Sequence, residues 1–248
     1  MDKEQFGMPQ VEGFGDETES YQNLVRVITL SAGKIINNQS IPYDFNHLAE
    51  KMTDLKVIRR DGVAHEYDPN SNTLFISKFN QEKKQYSDEE MIIFTAHELV
   101  HLVSEPKGDD SFGARYFGFN EFFTEYLSFL VVSNIGGIYL ESYFKHNVKG
   151  YFGNENDLNF IKKLSDTLGF KNLLSCYLNR EIADIENLTG TDVLTAMNDY
   201  FAYCDQLSDS IGKPLREFNE IIKHPSFAPQ KQIIDDYVNT INNYCQKN

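Results

Sequence analysis

Hydrophobic and polar positions change their rhythm once along this chain. Up to about residue 80 the segments are short and mixed. Leu24, Val27, Ile28, Leu30, Ile35 and Ile36 recur at a spacing that suits a helix over 21–37, and Tyr43–Met52 reads as a second, shorter helix. Leu55–Arg60 reads as a strand, Asp61-Gly62 as a turn, Ala64–Tyr67 as a further strand and Asp68–Asn72 as a strong turn. Thr73–Phe79 then alternates Leu74 and Ile76 against Phe75 and Ser77, the period of a strand. From Ser87 onward the pattern is helical. Ser87 is placed to cap a helix whose first turn holds Asp88, Glu89 and Glu90, and the run ends before Pro106. That helix is apolar nearly all round, which predicts a buried central position. After a glycine-bearing loop at Gly108–Gly118, helical segments are expected over Asn120–Lys145 (interrupted near Gly136-Gly137), Asp157–Leu168, Leu173–Leu178, Val193–Ser208 and Lys231–Cys245. The expected fold class is α+β: a small antiparallel or mixed sheet packed on the central helix, followed by a mainly helical C-terminal half. Residues 1–20 are expected to be a flexible arm, 21–150 one region and 151–248 a helical subdomain.

Composition narrows the classes. The 248 residues are 41% hydrophobic and include 19 Phe and 14 Tyr, enough for a real core. A net charge of -14 argues against a nucleic-acid or anionic-membrane binder. No apolar stretch is long enough to span a membrane, and the N-terminus lacks the basic start and apolar run of a secretory signal. Cys176, Cys204 and Cys245 are an odd set without paired spacing, which suits buried free thiols. A cytoplasmic setting is expected, with leaderless export as the alternative.

Chemistry enters at His97-Glu98-Leu99-Val100-His101. Residues four apart lie one above the other on a helix, so both imidazoles can converge on one metal ion, while Glu98 stands beside them as a base for a metal-bound water. Two imidazoles and a carboxylate suit zinc. Two histidines and a glutamate on an otherwise apolar helix are costly unless satisfied. A second pair, Glu121 and Glu125, is also four apart on a helix otherwise rich in Phe, Leu and Val. Glu121 is expected as the third ligand. Glu125 is expected to accept a hydrogen bond from the free ring nitrogen of a ligating histidine and so fix its tautomer. His47, His65 and His224 have no partner spacing and are expected not to be ligands.

The motif pair HELVH and NEFFTE, and the gap between them, resembles the gluzincin metallopeptidases, the thermolysin-like zinc enzymes. The resemblance covers roughly residues 72–135 and implies a zincin-like fold, with 21–150 as its catalytic region and 151–248 as the lower wall of the cleft. It makes His97, His101 and Glu121 zinc ligands and Glu98 the general base. It makes Asn120 and Glu125 the partners of the two imidazoles. It also casts Thr73–Phe79 as the sheet-edge strand that pairs with an extended substrate. Thr124-Glu125 departs from the family's Ser-Asp, though the longer carboxylate still reaches an imidazole. Such enzymes steady the oxyanion with a Tyr and a His from outside both motifs. Arg115, Tyr116, His146, Tyr151, Tyr177 and Arg180 are the candidates here. His146 and Tyr151 stand first, because they follow the ligand helix in a glycine-rich turn region.

The expected function is therefore zinc-dependent hydrolysis of peptide or protein substrates. The alternatives are a structural zinc site in a binding or regulatory protein, and a zinc hydrolase acting on other bonds. A closed structural site takes four protein ligands, of which three are evident, and it has no use for a base such as Glu98.

Overall fold

In the computed structural model, the described residues are 7–79, 83–105, 111–136, 155–211, 238–240 and 242–246. The chain divides into two units, Met1–Glu105 with Leu127–His146 and Pro106–Tyr126 with Asn147–Asn248.

The first unit holds a small mixed sheet and the central helix. Its strands are β1 (Gln10–Glu12), β2 (Lys56–Arg59), β3 (Glu66–Asp68) and β4 (Thr73–Ile76), and its helices include α1 (Thr18–Asn38), α2 (Phe45–Asp54) and α3 (Asp88–Ser104). The sheet order is β1-β2-β4-β3. β1, β2 and β4 run parallel, with Val57 opposite Leu74, while β3 pairs antiparallel to β4, with Tyr67 opposite Leu74. β4 is thus an interior strand, buried at Thr73, Leu74 and Ile76. The edge position expected for Thr73–Phe79 is occupied by β3 instead. β4 cannot present an edge because parallel β2 occupies one side and the return strand β3 the other. The strand also stops at Ile76, where the Ser77 hydroxyl turns back to donate to the Phe79 carbonyl at 2.5 Å. Within the first twenty residues, Gln10–Glu12 joins the sheet and Phe14 is buried against Tyr21.

α3 begins as its sequence indicates. Ser87 and Glu90 form a reciprocal capping box: the Glu90 N–H donates to Ser87 Oγ at 3.2 Å, and the Ser87 N–H donates to Glu90 Oε2 at 2.9 Å. The helix packs against α1 and touches β3 and β4. Its core face, with Ile93, Ala96, Val100 and Val103, is fully buried. α2 is capped by Asp44, and the hydroxyl of Tyr43 just before it donates to the Val103 carbonyl at 2.7 Å.

The second unit is helical. α4 (Ser111–Arg115) and the first half of α5 (Phe117–Gly136) precede α6 (Glu155–Leu168), α7 (Phe170–Asn179), α8 (Ile182–Thr189) and α9 (Thr191–Ile211). α8 is an element the sequence pattern does not single out: it is only eight residues long and carries no side-chain cap. The expected helix over Asn120–Lys145 is present to Gly136, and its remainder lies outside the described residues. Phe112, Tyr116, Phe119, Phe122, Phe123, Tyr177 and Tyr200 form an aromatic core.

The start of α5 is held by α9. The Gly118 N–H donates to Asn198 Oδ1 at 2.9 Å, while Asn198 Nδ2 donates to the Arg115 carbonyl at 2.7 Å. The helices meet so closely that a Cβ on Gly118 would lie 2.5 Å from the Met197 carbonyl oxygen. Gly118→Ala is therefore expected to cost about 1–3 kcal/mol as α5 is pushed off α9. Urea denaturation measures this, and wild-type stability in the variant would show that the contact is not tight.

Candidate metal centre

α3 brings the two histidines of HELVH to one face, as a four-residue spacing requires. His97 is 4% exposed, and His101 is partly buried. Their rings stand edge to face with centroids 4.9 Å apart, and the two Nε2 atoms are 3.2 Å apart. A tetrahedral ion with zinc–nitrogen bonds of about 2.0–2.1 Å would set its two nitrogens about 3.3 Å apart. The imidazoles thus stand at the separation a shared ion demands. Glu121, on the first turns of α5, completes a set: the ligand atoms of His97, His101 and Glu121 all lie within 4.8 Å of one another. Two neutral nitrogens and one carboxylate oxygen are the donor chemistry of a divalent transition ion such as zinc. His97, His101 and Glu121 form a metal-binding triad.

Glu98 is placed by the sheet. Its Oε2 accepts the backbone N–H of Tyr67 on edge strand β3 at 2.9 Å. The Tyr67 hydroxyl donates to Glu105 Oε2 at 2.5 Å, and Glu105 also binds Lys51. Glu98 and Glu105 are seven apart on or at the end of α3, hence on one face. Tyr67 therefore fastens β3 to α3 at two points. Burial and the neighbouring Glu105 carboxylate both push the Tyr67 phenol above its usual pKa, so it acts as a donor throughout the working pH range. Nothing in the sequence marks Tyr67 beyond its place in a strand.

Around Glu121, the Asn120 amide donates to Glu121 Oε1 at 3.3 Å and accepts from Arg180 Nη1 at 3.0 Å. Glu125, one turn further along α5, is 1% exposed. Of the oxyanion candidates, Tyr116 and Arg115 both engage Glu186 on α8, Arg115 at 2.8 Å. Tyr177 is fully buried, its hydroxyl 2.5 Å from Thr124 Oγ1 and its ring against Phe123. His146 and Tyr151 lie outside the described residues, as does His224.

His65 precedes the edge strand and packs against Tyr86 and Phe94, with ring centroids at 5.6 and 5.2 Å. His47 sits in the first turn of α2, 4.0 Å from Glu50. Neither belongs to the triad.

Compared with protein families, with curated proteins and with solved structures, the chain matches none. The site therefore speaks through its own geometry. No helix among the described residues is long and apolar enough to cross a membrane.

His65 yields a pH test. Burial lowers its pKa from 6.5 to about 4, against an opposing main-chain contact with Ser77. The unfolded chain binds this proton near pH 6.5 and the folded one only near pH 4, so its contribution to stability is intact above 6.5 and drains away as pH falls toward 4. Replacing it with an uncharged ring, His65→Phe, should flatten this stretch of the stability curve. Parallel curves for wild type and variant between pH 6.5 and 4 would show that His65 is not held neutral.

Proposed function

We propose that this protein is a zinc-dependent metallopeptidase of the gluzincin type. The observation that carries the reading is the facing of His97 and His101 at 3.2 Å with Glu121 in reach, beside a Glu98 whose carboxylate is bound to a sheet edge. His97, His101 and Glu121 would hold zinc, which when bound would lower the pKa of a water and polarise a carbonyl. Glu98 takes the proton from the attacking water at a carboxylate oxygen and returns it to the departing amine. The Tyr67 N–H keeps that carboxylate oriented throughout. Glu125 accepts an imidazole N–H and fixes the tautomer that presents Nε2 to the ion. Asn120 steadies Glu121 rather than a histidine.

A peptide substrate suits the setting, because β3 places a sheet edge next to Glu98. The donor that meets the oxyanion comes from His146, Tyr151 or another residue of the second half. A reducing, cytoplasmic setting accompanies the reading and is supported by the free thiols of Cys176 and Cys245.

Metal analysis together with a Glu98→Gln variant on a casein or peptide library tests the proposal. One zinc ion per chain is expected in both proteins, with hydrolysis by the variant reduced about 10²–10⁴-fold. Equal cleavage by wild type and variant would remove Glu98 from the mechanism. Failure of wild type to cleave, with unfolding on zinc removal, would point to a structural ion instead.

A further inference from the structure

Asn120 stands between two groups of opposite charge, and each fixes one end of its amide. Oδ1 is 3.0 Å from Arg180 Nη1, and Nδ2 is 3.3 Å from Glu121 Oε1. A guanidinium has only donors and an ionised carboxylate only acceptors. A flipped amide would set donor against donor at Arg180 and acceptor against acceptor at Glu121. The chain of bonds therefore has one direction, from Arg180 through Asn120 to Glu121. Asn120 is 7% exposed, so bulk water does not compete freely for either bond.

Arg180 is itself held in place. It caps the C-terminus of α7 in the left-handed region, with φ 54, and its N–H donates to the Cys176 carbonyl at 2.9 Å. A non-glycine residue in that conformation is uncommon and strained, and persists where its surroundings require it. Its guanidinium lies over the buried Phe112 ring, 5.2 Å from the centroid.

We infer that Arg180 is a positioning residue for the third metal ligand: by orienting the Asn120 amide, it commits Glu121 Oε1 to a hydrogen bond and makes Oε2 the single oxygen that binds the metal. The inference rests on the proposed metal centre. It gives the Arg180 charge a task at the ligand rather than at a substrate oxyanion. It also accounts for the side-by-side placement of Asn120 and Glu121, since the ligand's neighbour supplies the donor that removes one oxygen from contention.

Zinc dissociation constants from chelator competition, and the visible spectrum of the cobalt(II)-loaded protein, test the inference without any substrate. Asn120→Leu and Arg180→Met are each expected to weaken zinc binding by about 10- to 100-fold, the usual effect of losing a ligand's hydrogen-bond partner. The double variant should bind no more weakly than Asn120→Leu alone, because both changes act through one bond to Glu121. The cobalt bands of Arg180→Met should change as the freed carboxylate turns to bind through both oxygens. Arg180→Lys, which keeps a donor for Oδ1, should restore affinity and spectrum, and thermal unfolding of the metal-free proteins checks that each variant folds. Wild-type affinity and spectrum in Arg180→Met, or losses that multiply in the double variant, would overturn the inference and leave the metal centre standing. Failure of wild type to bind zinc or cobalt would overturn both.

Discussion

Two imidazole nitrogens, 3.2 Å apart on a helix whose core face is buried and apolar, are the constraint on which the rest of this structure depends. Polar rings in such a place are tolerable only when their nitrogens are engaged. A neutral pair can share one hydrogen bond between them, which uses one donor and one acceptor. A divalent ion uses both lone pairs and the Glu121 carboxylate together. The surrounding structure keeps α3 where this is required. The capping box sets its start, α1 and the sheet cover its core face, and the Tyr43 hydroxyl ties the Val103 carbonyl near its end.

The same helix is fastened to the sheet edge through Tyr67, and here fold and chemistry meet. A backbone N–H is a more faithful anchor for a carboxylate than a mobile side chain, because strand geometry fixes its direction. The N–H of β3 that points away from β4 would otherwise face solvent as an unpaired edge group. Glu98 takes it. The phenol of the same residue reaches Glu105, so the distance from β3 to the helix is set twice. Gly118 and Asn198 hold the start of α5, the helix that carries Glu121.

What could be read from the sequence follows from the range of the interactions. HELVH was legible because a helix fixes which residues share a face, and Ser87 with Glu90 was legible because a capping box spans one turn. The core alternation of β4 was also visible, and the mixed sheet on a central helix followed. Its neighbours were not visible. Strand order depends on pairings between distant segments, and the edge position expected of Thr73–Phe79 belongs to Glu66–Asp68. In the sequence Arg180 is one oxyanion candidate among six. Its bond to Asn120 joins residues sixty positions apart and depends on a left-handed turn with no glycine to announce it. Tyr116 and Tyr177 were equally plausible as isolated letters, yet Glu186 and Thr124 engage their hydroxyls within the helical unit.

The central claim is that three side chains from two helices hold one ion. X-ray absorption at the zinc edge of the metal-loaded protein, compared with Glu121→Ala, measures this most directly. Two nitrogen donors and a carboxylate oxygen at about 2.0–2.2 Å are expected in wild type, with the carboxylate contribution lost in the variant. A first coordination sphere with fewer than two imidazoles, or one that Glu121→Ala leaves unaltered, would contradict it.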